Sequence, residues 1–250
     1  MTRPLAGKVA LVSGAGKNIG RAIALRLARD GAAIVVNGRS DRAAVEAVAA
    51  EIEAAGGKAL PWVADVSDKP AVDAMVAAAA AALGGIDILV SNAGLRRQTK
   101  FLDMGFEEWR EIMSVALDGA FILAKAAVPH MIARGGGAFV AMSGVSTHVG
   151  TLNRCHVSAS KAGLEGLIRA LAVELAPHGV TCNCVAPGAI DTARGASAGP
   201  APANRVNRPI PMGRFGTVDE ISAMVRHLVG PEGAFITGQT IHVNGGEFLT

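Results

Sequence analysis

Lys8-Val9-Ala10-Leu11-Val12-Ser13-Gly14-Ala15-Gly16-Lys17-Asn18-Ile19-Gly20 runs from a short apolar segment through a glycine-rich turn into a helical pattern. A brief apolar run closed by turn residues is the signature of a strand covered on both faces. Glycines let the backbone come close to a bound group. The helix behind them directs free N–H donors and a positive dipole end at the same spot. Ordinary strand-to-helix turns also carry glycine, but the strand–turn–helix order tilts the reading toward the phosphates of a dinucleotide.

Outward from this turn the chain alternates. Strands are predicted over 8–13, 33–37, 59–63, 86–90, 138–142, 180–185 and 239–243. Helical periods fill 19–30, 41–55, 70–83, 106–134, 155–176 and 218–229, most of them stopped by glycine or by proline and glycine. Strand–helix alternation throughout predicts one α/β domain over 1–250, a doubly wound parallel sheet with right-handed crossovers. Residues 195–211 have no apolar period and are rich in Gly, Ala, Pro and Asn, the composition of a loop that covers a site. In such sheets ligands sit beyond the carboxyl ends of the strands, so function is sought just after each strand.

Composition narrows the classes. Half of the 250 residues are apolar and 18% are charged, which excludes a disordered chain. A chain of this size buries roughly 70% of its unfolded surface without disulfides. No uninterrupted apolar run approaches the ~20 residues of a membrane span, and the start lacks a signal-like stretch, so a cytoplasmic protein is expected. Net charge is +3, from 24 Lys and Arg against 21 Asp and Glu, with no basic run. That is too weak a field to imply nucleic acid. Cys155, Cys182 and Cys184 give an odd count with poor zinc spacing. Cys182 and Cys184 would share one face of a strand, as small core residues, and no metal site is expected.

The end of the second strand bears on the cofactor. An acid there would bind a ribose 2′-hydroxyl and repel a 2′-phosphate. Asn37-Gly38-Arg39-Ser40 has none, and the Arg39 guanidinium suits a phosphate. With Lys17 in the glycine turn, this favours NADP(H) over NAD(H).

On these motifs the whole chain resembles the short-chain dehydrogenase/reductase family, in its 250-residue form. Ser13-Gly14 followed by Asn18-Ile19-Gly20 is similar to the family's cofactor turn. Asp65-Val66 matches its adenine-contacting acid, Asn92-Ala93-Gly94 its Asn-Ala-Gly, and Ser158-Ala159-Ser160-Lys161-Ala162 the segment around its active-site lysine. Pro187-Gly188 with Thr192 matches the loop beside the nicotinamide. The resemblance implies a Rossmann-type sheet, these residues as cofactor contacts, a small-molecule substrate, and a homotetramer or homodimer. Asn18 stands where the family has its second glycine, and asparagine tolerates the left-handed region better than most residues.

The expected catalytic side chains are mostly absent. The family's tyrosine lies four residues before the lysine, where this chain has Val157, and no tyrosine occurs anywhere. Its serine falls on Gly144, with Ser143 one residue away, and its asparagine on Ala116. Of four groups only Lys161 remains. Reducing a ketone puts negative charge on oxygen, which needs a proton donor. Valine, glycine and alanine cannot supply one. His148, in the loop expected to wall the substrate pocket, is the candidate substitute. His156 should point about 100° away from Val157. Cys155 and Asn153 are further polar groups nearby, and Arg96 and Arg97 offer charge to an anionic substrate. Three functions compete: an NADP-dependent oxidoreductase acting on a polarised C=C or C=N bond; a non-catalytic NADP-reading chain or hetero-oligomeric partner of an active relative; and a lyase or isomerase.

Overall fold

A computed structural model describes residues 3–193 and 209–250. Seven parallel strands form one sheet in the order β3-β2-β1-β4-β5-β6-β7. The strands are β1 (Val9–Val12), β2 (Ala33–Gly38), β3 (Ala59–Val63), β4 (Ile88–Ser91), β5 (Gly137–Met142), β6 (Val180–Pro187) and β7 (Thr240–Val243). Strand order reverses at β1, whose neighbours are β2 and β4, and that places a crevice beyond the ends of β1 and β4. Both faces are covered. Val12, Ile34 and Val140 enter one apolar layer with helices α1 (Asn18–Arg29), α2 (Arg42–Ala54) and α8 (Val218–Val229). Leu11, Leu89 and Phe139 enter the other with α3 (Lys69–Leu83), α5 (Gly119–Ala133) and α7 (Cys155–Leu175). Cys182 and Cys184 lie in this second layer, and burial pushes both thiols up to about 12.

The apolar run 106–134 departs from a single α-helix. It comprises α4 (Phe106–Met113), a π-turn over Ser114–Asp118 and then α5. The Gly119 N–H reaches the Ser114 carbonyl five residues back. By length and composition 106–133 could cross a bilayer. Here it covers the sheet, with Ala120, Leu123, Ala127 and Met131 buried. A short helix α6 (Ser146–Val149), not anticipated, follows β5. Residues 195–208 of the expected substrate loop lie outside the described residues.

The two edges of the sheet are built differently. At the amino ends of the strands, the buried Asp87 carboxylate accepts from Lys8 Nζ at 3.1 Å, Arg134 Nε at 2.9 Å and the Val9 N–H at 2.9 Å. The carboxyl ends carry the cavity described next.

Candidate functional site

The glycine turn is held in place by its neighbour strand. Asn92 Nδ2 donates to the Ser13 and Gly14 carbonyls at 3.0 and 3.1 Å, while the Ser13 hydroxyl accepts the Asn92 and Ala93 N–H groups at 3.0 and 3.1 Å. Gly14 has φ +63°, a conformation that disfavours side chains. A Cβ on Gly20 would collide with the Gly14 carbonyl oxygen. Glycine at 20 therefore lets the start of α1 pack directly against the turn. Asn18 takes φ +51°. Its amide bonds both backbone groups of Ala193, donating to the carbonyl at 2.9 Å and accepting the N–H at 3.1 Å.

Beyond the strand ends lies a cavity of about 980 Å³. Its β2 end is lined by the glycine turn (Gly14, Lys17, Asn18, Ile19, Gly20), by Arg39, and by Asp65 and Val66. Its middle is lined by Asn92, Ala93, Gly94 and Lys161, and its β6 end by Pro187 and Gly188. Thr192 is not brought there. Thr192 lines a neighbouring cleft with Arg21 and Asp219, beside the Asn18–Ala193 pair.

Known proteins match this chain along nearly its whole length. The sequence model of the Enoyl-(Acyl carrier protein) reductase family matches residues 14–247. A 3-oxoacyl-(acyl-carrier-protein) reductase FabG of Staphylococcus aureus is 37% identical over 242 residues, covering 97% of this chain and 98% of that protein. The Escherichia coli FabG is 36% identical over 243 residues, covering 97% and 98%. A short-chain type dehydrogenase/reductase from Mycobacterium marinum superposes with TM-score 0.92 at 36% identity, over 99% of this chain and 98% of that one. The chain belongs to the short-chain dehydrogenase/reductase family.

Within this short-chain dehydrogenase/reductase, Lys161 is partly buried and its ammonium donates to the Met142 carbonyl at 2.5 Å. Burial, helped by the Arg96 charge and opposed by Cys184, brings its pKa from 10.5 down to about 8. Val157 and Lys161 lie one turn apart on α7, Arg154 is the residue just before the helix, and all three line the cavity. Val157 thus presents an aliphatic surface one turn before the lysine. Gly144 lines the same wall, and the nearest atom to a Cβ there would be Ser146 Oγ at 3.7 Å. Ala116 is buried inside the π-turn, a feature common at functional sites.

The charged end near β2 is more engaged than the sequence suggested. Arg39 Nε lies 2.8 Å from Asp65 and its Nη1 3.6 Å from Glu111. Arg97 also bonds Glu111. Burial resists ionisation of Asp65, but hydrogen bonds from the Ser67 N–H and hydroxyl, with Arg39, outweigh it and hold the carboxyl below its ordinary value.

The structure turns His148 away from the cavity lining. Its Nε2 lies 3.1 Å from Glu165 Oε1, and its ring packs on Phe248 and His242 with centroids 5.0 and 4.6 Å apart. Ser143 also fails to offer its hydroxyl, which donates to the same carboxylate oxygen. His156 faces α4, with Nε2 3.3 Å from Glu108, as the 100° offset predicts. Cys155 is exposed beside Met104. Sequence reasoning missed two carboxylates. Glu165 follows Lys161 by one helical turn and precedes Arg169 by another, a spacing that was readable. Glu247 lines the cavity and accepts the Ala189 N–H at 2.9 Å, and nothing local marked it.

Proposed function

We propose that this chain is an NADP(H)-dependent oxidoreductase that delivers hydride to carbon in a polarised C=C or C=N bond without a phenolic proton donor. The observation that carries the reading is Val157 lining the cavity one turn before Lys161, in a chain with no tyrosine. The matched family's description, an enoyl reductase, points to the same bond type. The 3-oxoacyl reductases among the relatives reduce a ketone by name, and that chemistry calls for an acid which valine cannot be.

The cofactor-binding set is Gly14, Lys17, Asn18, Ile19, Gly20, Arg39, Asp65, Val66, Asn92, Ala93, Gly94, Lys161, Pro187 and Gly188. Bound NADPH supplies the hydride. Lys17 and Arg39 favour the 2′-phosphate, Arg39 exchanging its Asp65 and Glu111 contacts for phosphate oxygens. Lys161, anchored by the Met142 carbonyl, holds the cofactor ribose, and with a pKa of about 8 it can release a proton near neutrality. Hydride addition needs one proton, which Lys161 gives and water returns to it. A cytoplasmic homo-oligomer acting on a small molecule completes the reading.

The test is NADPH titration by calorimetry, then cofactor oxidation across matched enones, imines and ketones. Oxidation with an enone or imine and none with ketones is expected, and NADPH should bind more tightly than NADH. Silence across the panel sinks the reading. The triple variant Val157→Tyr, Gly144→Ser, Ala116→Asn should then gain ketone reduction. A second reading, a non-catalytic partner of an active relative, draws support from the sequestered Ser143 hydroxyl; co-purification of an active homologous chain would favour it.

A further inference from the structure

Past β7 the chain makes a turn over residues 244–248 that is fixed from inside and from outside. The Glu247 N–H donates to the Asn244 carbonyl at 3.1 Å, and the Gly246 N–H donates to Asn244 Oδ1 at 2.9 Å. Asn244 Nδ2 donates to the Phe248 carbonyl at 2.9 Å. The Phe248 ring stacks on His148 and tilts against His242, with centroids 5.0 Å away in both cases. Phe248 thus seats the turn on two histidines, one from α6 and one from β7, and so fixes its neighbour Glu247.

This turn meets the β6 end of the cavity. The Gly188 N–H donates to the Val243 carbonyl at 3.0 Å. A Cβ on Gly188 would lie 2.7 Å from Asn244 Cα and 2.7 Å from Glu247 Oε2, so the two segments are in close contact. One residue on, the Ala189 N–H donates to Glu247 Oε2 at 2.9 Å. A backbone N–H held by a carboxylate is held more strongly than one held by a neutral carbonyl. Pro187, Gly188, Ala189 and Glu247 all line the cavity.

We propose that Glu247 is a positioning residue, whose carboxylate sets the Pro187–Ala189 backbone against which the nicotinamide half of the cofactor packs. This rests on the proposed function, which puts the 2′-phosphate on Lys17 and Arg39 at the β2 end and so turns the nicotinamide toward Pro187 and Gly188. The adenine half then lies at the opposite end of the cavity from Glu247. Loss of the carboxylate should weaken the hold on the nicotinamide half alone.

The experiment compares NADPH with adenosine 2′,5′-bisphosphate, which carries the adenine half and lacks the nicotinamide, by calorimetry on the full chain. The NADPH ring is uncharged, so removing a carboxylate acts on its position and not on its charge. In Glu247→Ala, NADPH affinity should fall about fivefold, near the worth of one hydrogen bond, and bisphosphate affinity should hold. Glu247→Gln keeps an oxygen that can accept the Ala189 N–H, and should bring NADPH affinity back to within about twofold of the wild type. Thermal melting shows whether Glu247→Ala folds. If it does not, Glu247→Asp, with its carboxylate drawn back by one methylene, must give the same split in weaker form. Equal losses for both ligands, or no loss for either, overturn the inference. If neither ligand binds the wild-type chain, the functional reading falls and takes this positioning role with it.

Discussion

The two edges of the sheet use the same side-chain types to opposite ends. At the amino edge a single buried carboxylate, Asp87, is met by two cations and a backbone N–H. At the carboxyl edge a lysine is drawn into the protein and, among the described residues, donates to the Met142 carbonyl, with a guanidinium close enough to oppose its charge. A complete ion cluster stabilises the fold. An incomplete one costs stability, and persists where a ligand finishes it. Damage at one edge should therefore show in unfolding, and damage at the other in binding.

The largest effect is expected from Gly20→Ala, whose added methyl has nowhere to go but the Gly14 carbonyl. Affinity for NADP⁺ should drop by about 100-fold or more, as forced overpacking costs ~1–3 kcal/mol and the displaced turn loses its phosphate contacts. Calorimetry reads this directly, and unchanged binding would mean the glycine turn is not the phosphate site.

Lys161→Met comes next. Folding lowers this lysine's pKa from 10.5 to about 8. Between those values the unfolded chain holds the extra proton, so stability rises with pH across the window. Denaturant titrations at several pH values should show the wild type gaining on Lys161→Met by up to about 3 kcal/mol from pH 8 to 10.5. Parallel curves would mean the ammonium is not desolvated.

Asp87→Ala should lower stability by about 2 kcal/mol, since it orphans the buried Val9 N–H and two exposed-end cations. That is a fall in Tm of about 4–8 °C for a chain of this size. NADP⁺ affinity should hold, and a parallel loss of binding would erase the contrast between the edges. The smallest effect is expected from Glu111→Gln. It weakens one of the two carboxylate holds on Arg39 and should raise NADP⁺ affinity about threefold, with NAD⁺ affinity unchanged.

The sheet and most of its helices were legible because they are local. Apolar runs, glycine stops and proline at the head of α3 each act within a few residues. The conformation of the glycine turn was legible for the same reason, down to the left-handed Asn18. What escaped depends on side chains far apart in the chain. His148 was placed against the cavity because its loop leads there, but Glu165, His242 and Phe248 claim it from three other segments. Thr192 lies in the cleft next to Ala193, which pairs with Asn18 across 175 positions. Arg39 had looked open to a phosphate because Asp65 and Glu111 are distant in sequence. The π-turn left no trace in a pattern that is apolar on both sides of it.

That π-turn amounts to one surplus residue, and a surplus can be removed. Deleting Ala116 would let Ser114–Asp118 relax to ordinary winding with α4 and α5 keeping their faces, because the wider turn absorbs the extra residue without advancing the helix. Glu111 would keep Arg39 and Arg97, and Glu108 would keep His156 and Thr99. A second deletion would turn α4 by about 100° and part all of these pairs at once. The wide turn thus gives this helix a tolerance of one residue, and no more, beneath the wall of the crevice.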